Sequence, residues 1–113
     1  MHELSLMTNL LSDATAAAHG ASICAMTVRV GPLSGIVVDS LRFAFEALAP
    51  GTLADGARLD IQESDISFHC PRCHAKYSTP LGSYQCPTCL STEGELCGGN
   101  ELELISIEVS DHV

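Results

Sequence analysis

Two short cysteine turns, Cys70-Pro71-Arg72-Cys73 and Cys86-Pro87-Thr88-Cys89, stand twelve residues apart. Each C-x-x-C turn brings two thiolates to one side of a tight loop. A second turn after a short hairpin supplies the other two corners of a tetrahedron, the geometry that zinc adopts with four sulfurs at roughly 2.3 Å. A redox dithiol is the main rival for a lone C-P-x-C, but that motif opens a helix in a βαβ setting, and neither pair here does. Disulfides need an oxidising compartment. Six cysteines in 113 residues are too few for a disulfide scaffold, and the amino end lacks the basic and apolar regions of a secretory signal. The expectation is structural zinc on Cys70, Cys73, Cys86 and Cys89 in a cytoplasmic protein.

A chain of this length makes one ordinary domain, or a small domain plus a metal module. With no Trp, two Tyr and three Phe, its core rests on Leu, Ile, Val, Ala and Met. No apolar run approaches the ~20 residues of a membrane span, so no membrane association is expected. Five basic residues oppose fourteen acidic ones, for a formal charge of −9. Four thiolates on one divalent cation make the chain more negative still. Such a surface repels phosphate backbones, which argues against nucleic acid as a partner.

Along the chain, Leu4, Met7, Leu11, Ala14 and Ala18 form one stripe of an amphipathic helix. His19-Gly20 ends it. Residues 22–30 alternate, with Cys24, Met26, Val28 and Val30 on one face, so Cys24 is expected to be a buried small hydrophobe. Ser34 is placed to cap a second helix over 35–49, whose apolar face is Val37, Leu41, Ala44, Phe45 and Leu48; Pro50-Gly51 stops it. Residues 57–64 alternate again. The cysteine segment, from about Ile66 to Gly99, is too short to fold unaided, and zinc supplies the deficit, on the order of 10–16 kcal/mol in isolated fingers. Tyr77 and Tyr84 are expected to cover the site. Residues 101–109 alternate with a change of phase, read as a bulge near Leu104 or a strand buried on both faces. Cys97, beside Gly98-Gly99, reads as an exposed thiol.

The order is helix, strand, helix, strand, cysteine module, strand. The first and last strands then share a sheet with the middle one. The expected class is α+β: a small three-stranded sheet with two helices on one face, and an inserted zinc-ribbon-like module. The corresponding division is 1–65 with 100–113, and 66–99.

Met1, His2 and Glu3 offer a second cation site. An α-amine, a backbone amide and an imidazole close chelate rings on one ion, and Glu3 adds a carboxylate. Nitrogen and oxygen donors in a tetragonal set suit Ni(II) or Cu(II). Taken alone, a His after an initiator Met is also what chance supplies.

The combination is more specific. A Met-His-Glu-Leu-Ser-Leu-Met opening, a helix to about residue 20, V-R-V-G, then S-L-R-F-A-F-E, then C-x2-C-x12-C-x2-C before a terminal strand resembles the hydrogenase-maturation nickel-insertion proteins of the HypA/HybF type over the whole chain. The resemblance implies a nickel metallochaperone without catalytic turnover. Its implied partners are a nickel-delivery GTPase and the large subunit of [NiFe]-hydrogenase; in some organisms a relative also serves urease. His2 is the implied principal nickel ligand, beside the Met1 amine and Glu3, and the four cysteines the implied zinc ligands. One departure is visible: the acidic residue often found just before the second helix falls on Val37, with Asp39 two places later. Asp39 reads as a solvated helix-surface carboxylate. The expected state is a monomer or weak homodimer.

His69 and His74 bracket the first knuckle and read as surface imidazoles that temper thiolate charge, with exchange into the metal shell as the sharper alternative. Two other functions compete with nickel delivery. A metal-dependent enzyme needs an open coordination position, which four cysteines close. An adaptor would use its metal for structure alone.

Overall fold

The computed structural model describes residues 2–79 and 84–110. Helix α1 (His2–Ala18) buries Met7, Leu10, Leu11, Ala14 and Ala18, steps of three and four that keep one stripe against the core. It stops where two successive residues turn left-handed, His19 at φ 50° and Gly20 at φ 86°.

Strand β1 (Ile23–Val30) follows, then helix α2 (Val38–Leu48) and strand β2 (Arg58–Glu63). Strands β1 and β2 are parallel, Ala25 opposite Arg58 through Val30 opposite Glu63. Parallel neighbours need a crossover, and α2 is that crossover. The last strand of the chain, β6 (Leu102–Val109), lies antiparallel on the other side of β1. The sheet order is β2-β1-β6, so the three expected strands do share one sheet, with the first in sequence at its centre.

One apolar cluster holds the buried faces of both helices together with Met26, Val28, Val30 and Leu59. Both helices therefore cover the same side of the sheet. Arg42 of α2 donates to the Leu59 carbonyl at 2.8 Å and pins the helix to β2. The opposite side carries Thr27, Arg29, Asp60, Gln62 and Glu103. There Arg58 and Glu108 flank Ala25 from either side in register and approach each other at 3.9 Å across its small side chain.

Three expectations change. Helix α2 begins at Val38, not near residue 35: its N-cap is Val37, with no side-chain cap, and Ser34 Oγ instead accepts from the Ile36 amide at 3.2 Å in a local turn. Gly35 is left-handed there (φ 77°), which a continuing helix forbids. Val37 is accordingly 58% exposed and no part of the apolar face. Cys24 is exposed, not buried. The pairing of β1 with β6 shifts between Ile23 and Ala25. Cys24 is the extra residue of that bulge, and Ile23 takes the inward place instead. The change of phase in the last strand is a bulge: the register steps from Ser106 to Leu104, leaving Ile105 unpaired. That step puts Ile107 on the same side as Leu102 and Leu104, all three packed on the core.

A second sheet contains β3 (Ile66–His69), β4 (Lys76–Thr79) and β5 (Glu95–Gly98), antiparallel in the order β4-β3-β5. It has its own small cluster of Cys70, Tyr77 and Cys86, with Phe68, Cys73 and Ala75 against them. The chain enters this lobe through Ser64-Asp65 and leaves through Gly99-Asn100-Glu101.

Candidate metal centre

The two cysteine turns are built to one pattern. The Cys70 amide donates to Ala75 O at 2.8 Å and the His74 amide to Cys70 O at 2.9 Å. The Cys86 amide donates to Ser91 O, and the Leu90 amide to Cys86 O, each at 2.9 Å. The residue after the second cysteine is left-handed in both turns, His74 at φ 62° and Leu90 at φ 64°. This twist folds each loop back on itself and presents its pair of sulfurs to the other turn.

Among the described residues, the four cysteines are the group of His, Cys, Asp and Glu whose ligand atoms lie within 4.8 Å of one another. Cys70 Sγ stands 3.6 Å from Cys89 Sγ, and Cys73 Sγ 3.6 Å from Cys86 Sγ. A tetrahedron with metal–sulfur bonds near 2.3 Å has edges of about 3.8 Å. The sulfur cage therefore fits a four-coordinate ion, and soft thiolates in that geometry fit zinc.

Backbone amides prepare the sulfurs. The Cys73 amide, then that of Arg72, holds the Cys70 thiol below its ordinary value. The Cys89 amide, helped by that of Thr88 and opposed by burial, draws Cys86 down to about 6. Cys73 is pushed up to about 12: the Ala75 amide favours its thiolate, but burial and the sulfurs of Cys86, Cys70 and Cys89 outweigh that help. Cys89 is raised in the same way against the Ser91 amide. Each turn thus holds one sulfur whose thiolate is favoured by its amides and one whose thiolate is disfavoured, and a bound cation would favour all four.

Tyr77 closes the inner side. It is buried, stacks on Phe68 with ring centroids 5.4 Å apart, and donates to Tyr84 O at 2.7 Å. Burial, then the negative sulfurs, keep its hydroxyl protonated. Gly94 faces that hydroxyl so closely that a Cβ would overlap it. Tyr84 does not cover the site: its ring is 55% exposed, and it contributes its carbonyl. His69 and His74 stand with ring centroids 5.9 Å apart beside the first turn, outside the sulfur cluster. Reading residue types alone missed what His74 does here, which is to supply the left-handed backbone.

In the helix–sheet lobe, His2 opens α1 and is exposed, and Glu3 beside it is half-buried. Glu3 Oε2 lies 3.5 Å from the Val37 amide, so the start of α1 meets the start of α2. Asp39 sits in the first turn of α2, exposed. His2, Glu3 and Asp39 do not converge into a three-ligand cluster. Met1 lies outside the described residues.

A small α+β protein with a four-sulfur cage on a separate lobe, and a histidine at the solvent-facing start of its first helix, is a metal-handling protein by construction. Residues 1–109 match the family described as "Hydrogenase/urease nickel incorporation, metallochaperone, hypA". The chain is 40% identical to hydrogenase maturation factor HypA of Picosynechococcus over 112 residues, covering 96% of this chain and 99% of the relative. It is 41% identical to that of Chloroflexus aurantiacus, covering 96% and 98%. The solution structure of the Ni metallochaperone HypA from Helicobacter pylori matches with a TM-score of 0.68 at 25% identity, over 95% of this chain and 96% of that one. A further solution structure of a HypA protein matches with a TM-score of 0.72 at 25% identity, over 99% and 98%. The chain belongs to the HypA family of nickel metallochaperones, maturation factors and not enzymes. No described helix is long and apolar enough to cross a membrane.

Proposed function

We propose that this protein takes up Ni(II) at its amino end, through the His2 imidazole with the Met1 amine and Glu3, and hands it on during hydrogenase maturation. Cys70, Cys73, Cys86 and Cys89 hold Zn(II) for structure. The functional division is 1–65 with 100–113 for nickel, and 66–99 for zinc. A nickel-delivery GTPase and the large subunit of [NiFe]-hydrogenase are the partners, in the cytoplasm, with the protein a monomer or weak homodimer. Nucleic acid and membrane take no part.

The observation that carries this reading is the separation of two unlike donor sets. Four sulfurs close a coordination sphere and suit permanent residence. His2 stands exposed at the start of a helix, where nitrogen donors release an ion more readily. Imidazole and amine must be neutral to ligate, so acid weakens the nickel site. Asp39 remains a solvated carboxylate in this scheme.

Calorimetric Ni(II) titration of untagged, zinc-loaded protein tests it, beside His2→Ala. The wild type takes up nickel, and His2→Ala weakens uptake by at least about tenfold, the scale on which loss of even an outer-shell partner is felt. Equal affinity in both favours the alternative, a zinc-ribbon adaptor with purely structural metal. Nickel in an all-sulfur shell by X-ray absorption overturns the assignment of sites.

A further inference from the structure

Two chain crossings join the lobes, one outgoing through Ser64-Asp65 and one returning through Gly99-Asn100-Glu101. A single carboxylate engages both. Glu101 Oε2 accepts from Ser64 Oγ at 2.7 Å, and Glu101 Oε1 accepts from the Gly99 amide at 2.6 Å. These bonds, and the nearby Arg29, keep the carboxyl below the usual carboxylate range, so it is an anion at neutral pH and a strong acceptor.

The backbone beneath it is anchored to the loop after β1. The Gly31 amide donates to Glu101 O at 2.8 Å, the Leu33 amide to Gly99 O at 2.6 Å, and the Ser64 amide to Val30 O at 3.0 Å. Gly31 packs so tightly on the Gly99 carbonyl that any Cβ would overlap it. Gly99 itself sits at φ 126°, a conformation that side-chain-bearing residues rarely adopt. Around the crossing lies a polar cleft of about 360 Å³ lined by Arg29, Ser64, Asp65, Ser67, Ser78, Glu101 and Glu103. Serines and charged groups line this junction, and among them the Glu101 carboxylate bonds both crossings, beyond the backbone bonds that hold each to the loop after β1.

We infer that Glu101 is a latch: its carboxylate ties the outgoing crossing to the returning one and so fixes the angle at which the four-cysteine lobe stands on the helix–sheet lobe. Without it, the lobe pivots about the Gly31–Gly99 backbone contact while each lobe keeps its own fold. This is a statement about orientation, independent of which metal either site holds.

Residual dipolar couplings of the full, metal-loaded chain read the angle directly. In the wild type, amides of both sheets fit one alignment tensor. Glu101→Ala needs two tensors, with reduced order for β3–β5, while couplings within each sheet keep their wild-type pattern. Glu101→Gln retains an acceptor for the Gly99 amide and a polar contact with Ser64, and returns the fit towards one tensor. A single wild-type tensor in Glu101→Ala overturns the latch, as does a change confined to couplings within one sheet. If Glu101→Ala does not fold, Ser64→Ala decides: it opens the outgoing end alone, and two tensors support the latch where one tensor overturns it.

Discussion

Leu90 and His74 occupy equivalent left-handed corners, His a type that takes such a backbone more often than most and Leu one that rarely does. A left-handed backbone costs an ordinary L-residue roughly 1–2 kcal/mol, and the sulfur cage demands it twice. Spacing revealed the four sulfurs because each turn is local. It did not reveal the twist, because neither turn carries the Gly or Asn most often found at such a position, and a His or Leu does not by itself mark one. Cys24 went astray for a different reason. Its face is set by a bulge against Val109 and Glu108, which lie far along the sequence, so alternation within β1 could not locate it. The cysteine environments lead to a count. In metal-loaded native protein, Cys24 and Cys97 are the exposed thiols outside the cage. An aromatic disulfide reagent should titrate two thiols quickly and the other four only after chelation or denaturation. A single fast thiol would contradict the exposed setting of Cys24 or of Cys97, and Cys24→Ser, removing a fast thiol or not, tells which.

Among the elements, β6 shows what sequence can carry. Leu102 and Leu104 have one parity, Ile105, Ile107 and Val109 the other, and no regular strand reconciles them against a one-sided core. A bulge was therefore legible as one of two readings, beside a strand buried on both faces. Its seat at Ile105, one place beyond Leu104, needed the partner strand. The stripe on α1 was equally clear, since steps of three and four persist over four turns. The start of α2 was not: Ser34 has the chemistry of a cap but spends its hydroxyl on the Ile36 amide. The bulge gives the sharper test. Because Ile105 is the extra residue, Ile107 faces the core, and Ile107→Ser costs at least about 1 kcal/mol for its half-buried side chain. Ile105→Ser leaves the register intact at an exposed position and costs less. Urea midpoints compare the two, and equal losses would mean that the bulge does not set the register.

On the scale of the whole molecule, the radius of gyration is 17.4 Å, against about 13 Å for a compact chain of 100 residues. The helix–sheet lobe has a continuous apolar core. The other lobe has three buried residues at its centre, two of them cysteines, so its fold and its metal stand or fall together. Chelation should abolish amide protection in β3, β4 and β5 and leave α1, α2, β1 and β2 protected. The sign of the pH dependence follows from the sulfurs. All four sulfurs must be thiolates on the metal, while in the unfolded, metal-free lobe the cysteines keep their ordinary thiol protons at neutral pH, so metal affinity rises with pH. Affinity should therefore fall steadily as pH drops below about 8.5, as competition with a chromophoric chelator would show. A flat profile would mean that all four sulfurs are already thiolates. The Glu101 bridge was invisible in the sequence, because it joins residues 37 apart through a serine and an acid of no distinctive pattern.

The sheet order has a consequence for how the chain is made. The central strand β1 gains its second neighbour only from β6, the last strand to be synthesised. A nascent chain that has reached Gly99 contains both helices and the whole cysteine segment, yet one side of β1 still lacks its ladder. Closing the first-made lobe therefore waits on β6, and a chain halted before Leu102 offers an open β edge to whatever strand it meets.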